Sequence, residues 1–195
     1  KVRFSKKTKD LWEVDCQKTD LFTVSYSYYA SELNAGSTYL DQNQLYINPV
    51  NCMLYNSQDI DLEYEIEFKL PLDYKIHTSL ENLGNNTLKA INFDQLADSP
   101  IIASNSAQQR SLTINNVNFS FCFQGEVKVN WEKMLKDFTS FINYQINLFG
   151  SFPHKSFLFL FQITPFSSYH GVEHHHSTVI LLGPSYDVFK KLYIE

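Results

Sequence analysis

Hydrophobic and polar positions alternate in short runs over the first two thirds of this chain. In Phe22–Tyr28 large and small side chains alternate, and between Leu62 and Leu70 five apolar or aromatic residues alternate with three glutamates and a lysine. A period of two is typical of an antiparallel strand with one buried and one solvated face. Polar turns separate these runs, so the pattern predicts an antiparallel β-sandwich with strands at Leu11–Val14, Leu21–Ala30, Leu62–Leu70, Leu112–Ile114 and Val117–Phe123.

The period changes near Asn130, where apolar residues begin to recur at the spacing of a helix face. The Asn130 side chain can cap a helix, Glu132 suits its first turn, and Gly150 is placed to end it. We therefore predict a helix from Asn130 to Gly150, and its apolar face consists of Trp131, Met134, Leu135, Phe138, Phe141, Ile142, Gln145, Ile146 and Phe149.

Two further strands are predicted after this helix. Phe157–Ile163 is a continuous apolar run without alternation, which is typical of a strand buried on both faces. Ser177–Leu182 is rich in β-branched residues, and Gly183-Pro184 ends it. We expect a last helix over Ser185–Tyr193, capped by Ser185. The fold is thus predicted to be mainly β with some α, with a β-sandwich domain over residues 1–128 and a helix-strand-strand-helix unit over residues 129–195.

Composition and charge exclude several classes of protein. The chain has 195 residues, of which 44% are hydrophobic, 15% aromatic and only 19% charged, as in a folded domain rather than a disordered one. A formal net charge of −5 without a basic face argues against a nucleic-acid partner. No apolar run approaches the roughly 20 residues of a membrane span.

The three cysteines show no metal-binding or redox spacing. Cys16, Cys52 and Cys122 lie far apart and form no Cys-x-x-Cys pair, so neither a zinc knuckle nor a dithiol motif is predicted. We expect mostly buried thiols. Their disulfide state is left open by the sequence.

The segment Tyr169–Thr178 holds most of the candidate chemistry, with one carboxylate and four imidazoles. His170 to His174 matches the H-x-x-E-H pattern of inverted zinc peptidases, which requires a helix. Gly171 and the strand-forming residues that follow argue against that helix. Three consecutive histidines on an extended backbone would point to alternate sides, so they could not all reach one ion. We therefore predict no metal ligands in this chain beyond adventitious binding.

A third interpretation of the same segment is an extended edge strand that borders a cleft. Such an edge can hydrogen-bond the backbone of a peptide, and the Glu173 carboxylate could pair with the free α-amino group of that peptide. The remaining alternative is a solvated edge without a ligand.

Several motifs of the chain occur together in the order of one known family. Gly171-Val172-Glu173-His174 followed by Ser177-Thr178 resembles the Gly-Gly-Leu-Glu-His-Arg-Asn-Ser-Thr motif of the glycyl-aminopeptidase family. This family consists of zinc metallopeptidases of the thermolysin-like clan with an HExxH motif and a PDZ domain. The other matching segments are Ser37–Asp41, Phe93–Pro100, Gln145–Gly150 with Pro153, and Phe157–Leu160.

The resemblance implies an N-terminal β-domain followed by the opening portion of a thermolysin-like catalytic domain. It implies that Gly171, Val172, Glu173 and His174 bind a peptide substrate. Glu173 would bind the amine, and Gly171 and Val172 would supply backbone. The remainder of the catalytic domain, a PDZ domain and zinc would belong to the parent protein. By family analogy the compartment would be the bacterial periplasm or cytoplasm, and the sequence does not choose between them.

The chain also departs from the family pattern. His170 replaces the first glycine, His175-His176 replaces Arg-Asn, and no His-Glu-x-x-His occurs in the 195 residues. We therefore expect no catalytic residue, no bound zinc and no activity in this chain alone. The predicted function is that of an N-terminal fragment of a zinc-dependent aminopeptidase. The alternative is a noncatalytic β-rich module whose histidine-rich edge binds a peptide or a metal.

Overall fold

The computed structural model describes residues 2–15 and 21–184. Two α-helices, α1 (Phe93–Ala97) and α2 (Trp131–Phe149), and a 3₁₀ helix (Pro49–Asn51) accompany the strands of a mainly β architecture. The strands are β1 (Phe4–Lys6), β2 (Trp12–Val14), β3 (Tyr39–Leu40), β4 (Gln44–Ile47), β5 (Tyr64–Glu67), β6 (Lys75–Thr78), β7 (Glu81–Gly84), β8 (Thr87–Ala90), β9 (Ile101–Ser104), β10 (Gln108–Ile114), β11 (Val117–Gln124), β12 (Ser156–Ile163), β13 (Ser168–Glu173) and β14 (Ser177–Gly183).

Two antiparallel sheets form the N-terminal sandwich. One has the strand order β3-β4-β9-β6 and the other β5-β8-β7, while β1 and β2 pair separately. The two sheets share a core that includes Ile47, Leu88 and Ile101, and the short helix α1 adds Phe93 and Leu96 to it. The alternation predicted for Leu62–Leu70 is confirmed in β5, where Tyr64 and Ile66 are half-buried and the glutamates are exposed.

A five-stranded mixed sheet follows, in the order β10-β11-β12-β14-β13. Strands β11, β12 and β14 run parallel, and the two edge strands are antiparallel to their neighbours. Helix α2 covers one face through Met134, Ile142 and Ile146. The other face packs on Tyr46 and Ile102 of the sandwich. Because apolar layers lie on both sides, β12 carries the unbroken apolar run that the sequence shows, as predicted.

The long helix begins and ends where the sequence predicts. The Asn130 side chain accepts a hydrogen bond from the Lys133 amide, and Gly150 ends the helix with φ of 85°. The buried face is narrower than predicted, because Phe141 and Phe149 are 54% and 74% exposed. Phe141 lies beside the Met134–Ile142–Ile146 stripe, whereas Phe149 lies on it but is the last residue of the helix.

One sequence prediction needs correction, one stays a prediction, and one falls outside the described residues. Residues 21–30 form no strand, and their aromatic side chains are largely exposed. Alternation there was not enough, since a strand also needs a partner for its backbone. The predicted domain division falls between β11 and α2, and β11 pairs with β12, so β10 and β11 share a sheet with later strands. The division into 1–128 and 129–195 stays a prediction. The helix expected at Ser185–Tyr193 lies outside the described residues.

The tight connection after β11 depends on a glycine. Gly125 has φ of +110°, and a Cβ there would overlap the carbonyl oxygen of Ile163. A side chain would therefore both strain the backbone and push β12 away. Gly84 also has a positive φ, of +89°, but no atom lies within 4 Å of a Cβ built there.

Two cysteines are described, and both are free thiols. Burial raises the pKa of Cys122 to about 12, so this thiol stays protonated at neutral pH. Burial also raises the pKa of Cys52. Cys16 lies outside the described residues. Neither described α-helix has the length and apolar character needed to cross a membrane.

Candidate functional site

Strand β13 lies at the edge of the five-stranded sheet, as the interpretation of Tyr169–Thr178 required. It pairs with β14 in the register Gly171↔Ile180, Val172↔Val179 and Glu173↔Thr178. The His174 amide donates to the Ser177 carbonyl oxygen at 2.8 Å. Antiparallel pairs alternate between hydrogen-bonded and non-hydrogen-bonded, so the backbone groups of Gly171 and Glu173 face the free edge. Val172, which we expected to offer backbone to a ligand, instead directs its backbone groups to β14.

Glu173 is the last residue of this edge strand, and its side chain is exposed. Side chains alternate along β13, so Glu173 projects from one face and Val172 packs into the core on the other. Among the described residues, none forms a hydrogen bond or ion pair with the Glu173 carboxylate. An exposed carboxylate at a free edge can accept hydrogen bonds from an ammonium group.

The His174 side chain lies on the opposite face of the sheet from Glu173 and contacts Asp98 of the sandwich. Its Nδ1 lies 2.8 Å from Asp98 Oδ1, and the His175 amide donates to Asp98 Oδ2 at 2.8 Å. The His174 side chain is only 5% exposed. A carboxylate can only accept here, so Nδ1 carries the proton of this hydrogen bond. His174 therefore positions the segment, and a direct role in substrate binding stays a prediction that its burial does not favour.

The histidine run does not have the extended backbone that the sequence predicted. Strand β13 ends at Glu173, and residues 174–176 turn the chain back into β14. Because of the turn, His175 and His176 lie on the same side, with ring centroids 4.5 Å apart. His154 joins them, at ring-centroid distances of 4.7 Å from His175 and 4.1 Å from His176.

His154 is the functional candidate that the sequence analysis missed. It lies just before β12, and His176 lies just before β14. Because these neighbouring strands are parallel, the loops that precede them meet at the same end of the sheet, where both strands begin. Only the prediction of a parallel β12–β14 pair could have brought the two histidines together from the sequence.

Burial lowers the pKa of His154 and of His176, and the neighbouring imidazoles lower both further. The rings of His154 and His176 are thus biased toward the neutral form at neutral pH.

A cavity of about 260 Å³ lies beside this cluster, between β6 and the beginning of β12. His77 and His176 both contribute to its wall. The Nδ1 atom of His77 lies 2.5 Å from Gln109 Oε1. Its Nε2 atom is buried without a hydrogen-bond partner among the described residues. Burial lowers the pKa of His77 more than the Gln109 hydrogen bond raises it.

The geometry defines a class of protein: a β-sandwich joined to a mixed sheet whose free edge carries an exposed carboxylate. The sequence model of the Peptidase M61 N-terminal domain matches residues 1–105. The chain belongs to the peptidase M61 family, of which it carries this N-terminal region.

A solved structure shares the fold over most of the chain. It is the crystal structure of an aminopeptidase N family protein from Idiomarina loihiensis, with a TM-score of 0.79 and 22% sequence identity. The similarity covers 92% of this chain and 32% of that chain, so the present chain spans about a third of that protein. No curated protein matches the sequence.

Proposed function

We propose that this chain is the N-terminal part of a zinc-dependent aminopeptidase and that Glu173 anchors the α-amino group of the peptide substrate. The observation that carries the proposal is the free edge of β13, where an exposed carboxylate follows an outward-facing backbone. Membership of the peptidase M61 family supports the reaction class.

The register of β13 and β14 supports the way in which a peptide would bind. A substrate strand laid along the edge would pair with the backbone N–H and C=O groups of Gly171 and Glu173. Its first residue would then bring the ammonium group to the Glu173 side chain. Pairing fixes the distance from the amine to the first peptide bond, which gives a peptidase its preference for the N-terminus.

Gly171 supports a close approach of the substrate backbone. A Cβ at this position would meet only the Val179 carbonyl oxygen, at an ordinary contact distance of 3.8 Å. Internal packing therefore does not require glycine here. The missing side chain leaves room on the solvent side, where the substrate would lie.

The chemical step belongs to residues outside this chain. In such enzymes zinc polarises the peptide carbonyl and activates water. The 195 residues contain no HExxH motif, so this chain does not supply the zinc site of the proposed reaction. The role of this chain is to bind and orient the substrate amine.

The test uses Glu173→Gln in the full-length enzyme, assayed on a peptide with a free amine and on its N-acetylated form. Loss of a charge-assisted hydrogen bond predicts a fall in kcat/KM of about 10- to 100-fold on the free-amine peptide. The residual rate on the acetylated peptide should not change. Gly171→Ala should fold normally and also lower kcat/KM.

Glu67→Gln is the matched control, since Glu67 is also the exposed last residue of an edge strand. This variant should retain wild-type activity. Unchanged kcat/KM in Glu173→Gln on the free-amine peptide would exclude the anchoring role.

A further inference from the structure

Three histidines from two separate parts of the chain form a compact cluster at the end of the mixed sheet where β12 and β14 begin. One ligating nitrogen from each of His154, His175 and His176 can be chosen so that all three lie within 4.8 Å of one another. A tetrahedral ion with Zn–N bonds of about 2.0–2.1 Å needs ligand nitrogens about 3.4 Å apart. The ligand nitrogens would therefore have to approach one another by at most about 1.4 Å when an ion binds.

We propose that His154, His175 and His176 bind a divalent late transition-metal ion, with Zn²⁺ as the probe. Three neutral imidazole nitrogens suit Zn²⁺, Ni²⁺ and Cu²⁺ and are poor ligands for Mg²⁺ or Ca²⁺. Three protein ligands leave one tetrahedral position for water. This site is independent of the proposed aminopeptidase activity.

The backbone around the cluster is held on both sides, which favours a built site over a flexible histidine run. Asp98 accepts from the His175 amide at 2.8 Å, and the His176 carbonyl oxygen accepts from the Leu158 amide at 3.1 Å. On the other loop, the Lys155 carbonyl oxygen accepts from the Asn118 amide at 2.9 Å. These contacts fix the three Cα positions before any ion arrives, so little ordering is needed on binding.

The cluster is also accessible to an ion. His175 is exposed, while His154 and His176 are half-buried. Among the described residues, no hydrogen bond occupies a ring nitrogen of these three histidines.

His154 distinguishes a built site from adventitious binding by consecutive histidines. The test measures zinc in the intact protein after chelation and desalting, by titration with a competing chromogenic chelator. Wild type should bind one more equivalent of Zn²⁺ than His154→Gln at micromolar free zinc. Any other metal site is common to both proteins and cancels in this difference.

Each of His154→Gln, His175→Gln and His176→Gln should weaken zinc binding at this site at least 10-fold. His170→Gln is the control, because His170 is exposed on β13 outside the cluster and should bind zinc like wild type. Substitution with Co²⁺ should give the strong visible absorption of a tetrahedral site in wild type and lose it in His154→Gln.

Equal zinc binding by wild type and His154→Gln would overturn the proposal. Equal losses in His170→Gln and His154→Gln would overturn it as well, because they would indicate unspecific binding by surface histidines. Circular dichroism of every variant checks the fold.

Discussion

Replacing Asp98 tests how the histidine turn is fastened to the sandwich. In the native protein its two carboxylate oxygens accept from His174 Nδ1 and from the His175 amide, each at 2.8 Å. Asp98→Ala removes both acceptors. The Nδ1–H group of His174 is then left without an acceptor in a side chain that is only 5% exposed. An unsatisfied buried donor costs about 1–3 kcal/mol. Asp98 itself is 45% exposed, so we expect a total loss near the middle of that range, about 2 kcal/mol.

Asp98→Asn should cost less than Asp98→Ala. The amide oxygen can still accept from the His175 N–H, and the amide NH₂ can donate to His174 Nδ1 if the imidazole changes its tautomer. Both charge-assisted hydrogen bonds are weakened rather than lost. The expected order of stability is therefore wild type, then Asp98→Asn, then Asp98→Ala, with the asparagine variant about 1 kcal/mol below wild type.

Urea denaturation gives the free energies of unfolding for this comparison. Hydrogen exchange of the His175 amide supplies a local readout, since this amide should lose protection in Asp98→Ala. Asp61→Ala is the control, because Asp61 is exposed and its carboxylate makes no hydrogen bond to the described residues. A stability of Asp98→Ala equal to that of Asp61→Ala, with unchanged exchange at His175, would refute the reasoning.

Two further predictions concern a glycine and a buried histidine. Gly125→Ala should lower the free energy of unfolding by at least about 2 kcal/mol, whereas Gly84→Ala should lower it by only about 1 kcal/mol. Both glycines have a positive φ, but only a Cβ at Gly125 would overlap Ile163. Similar losses in the two variants would contradict the overlap. Because burial lowers the pKa of His77, the unfolded chain takes up a proton before the folded protein does as pH falls below about 6.5. The free energy of unfolding should therefore fall toward acid by up to about 1.4 kcal/mol per pH unit. Urea titrations between roughly pH 7.5 and pH 5.5 should show a smaller fall for His77→Gln than for wild type. Equal falls in the two proteins would contradict this prediction.

Local sequence signals predicted the elements that depend on local interactions. Helix α2 follows from its apolar period, the Asn130 cap and Gly150, and its bounds agree with the prediction. Strand β12 was predicted from an apolar run that reflects burial on both faces. The stretch 21–30 failed because its alternation fits a strand whose backbone partner does not exist in the described fold.

The candidate site was predicted only where a single segment defines it. The edge position of β13 and the exposure of Glu173 follow from the segment itself. The Asp98–His174 contact joins residues 76 positions apart, and the His154 cluster depends on the parallel register of β12 and β14. Neither leaves a periodic signal, since tertiary pairing rather than local propensity brings these side chains together. The turn at residues 174–176 was missed for the same reason.

The shared apolar layer between the mixed sheet and the sandwich has a consequence for how the protein unfolds. Tyr46 and Ile102 on one side and Cys122, Leu160 and Val179 on the other form one buried cluster. Opening either layer would expose this cluster to water, so the two layers stabilise each other. The described chain should therefore behave as one cooperative unit with a single transition, and a cut in the loop after residue 104 should leave neither piece as stable as the whole.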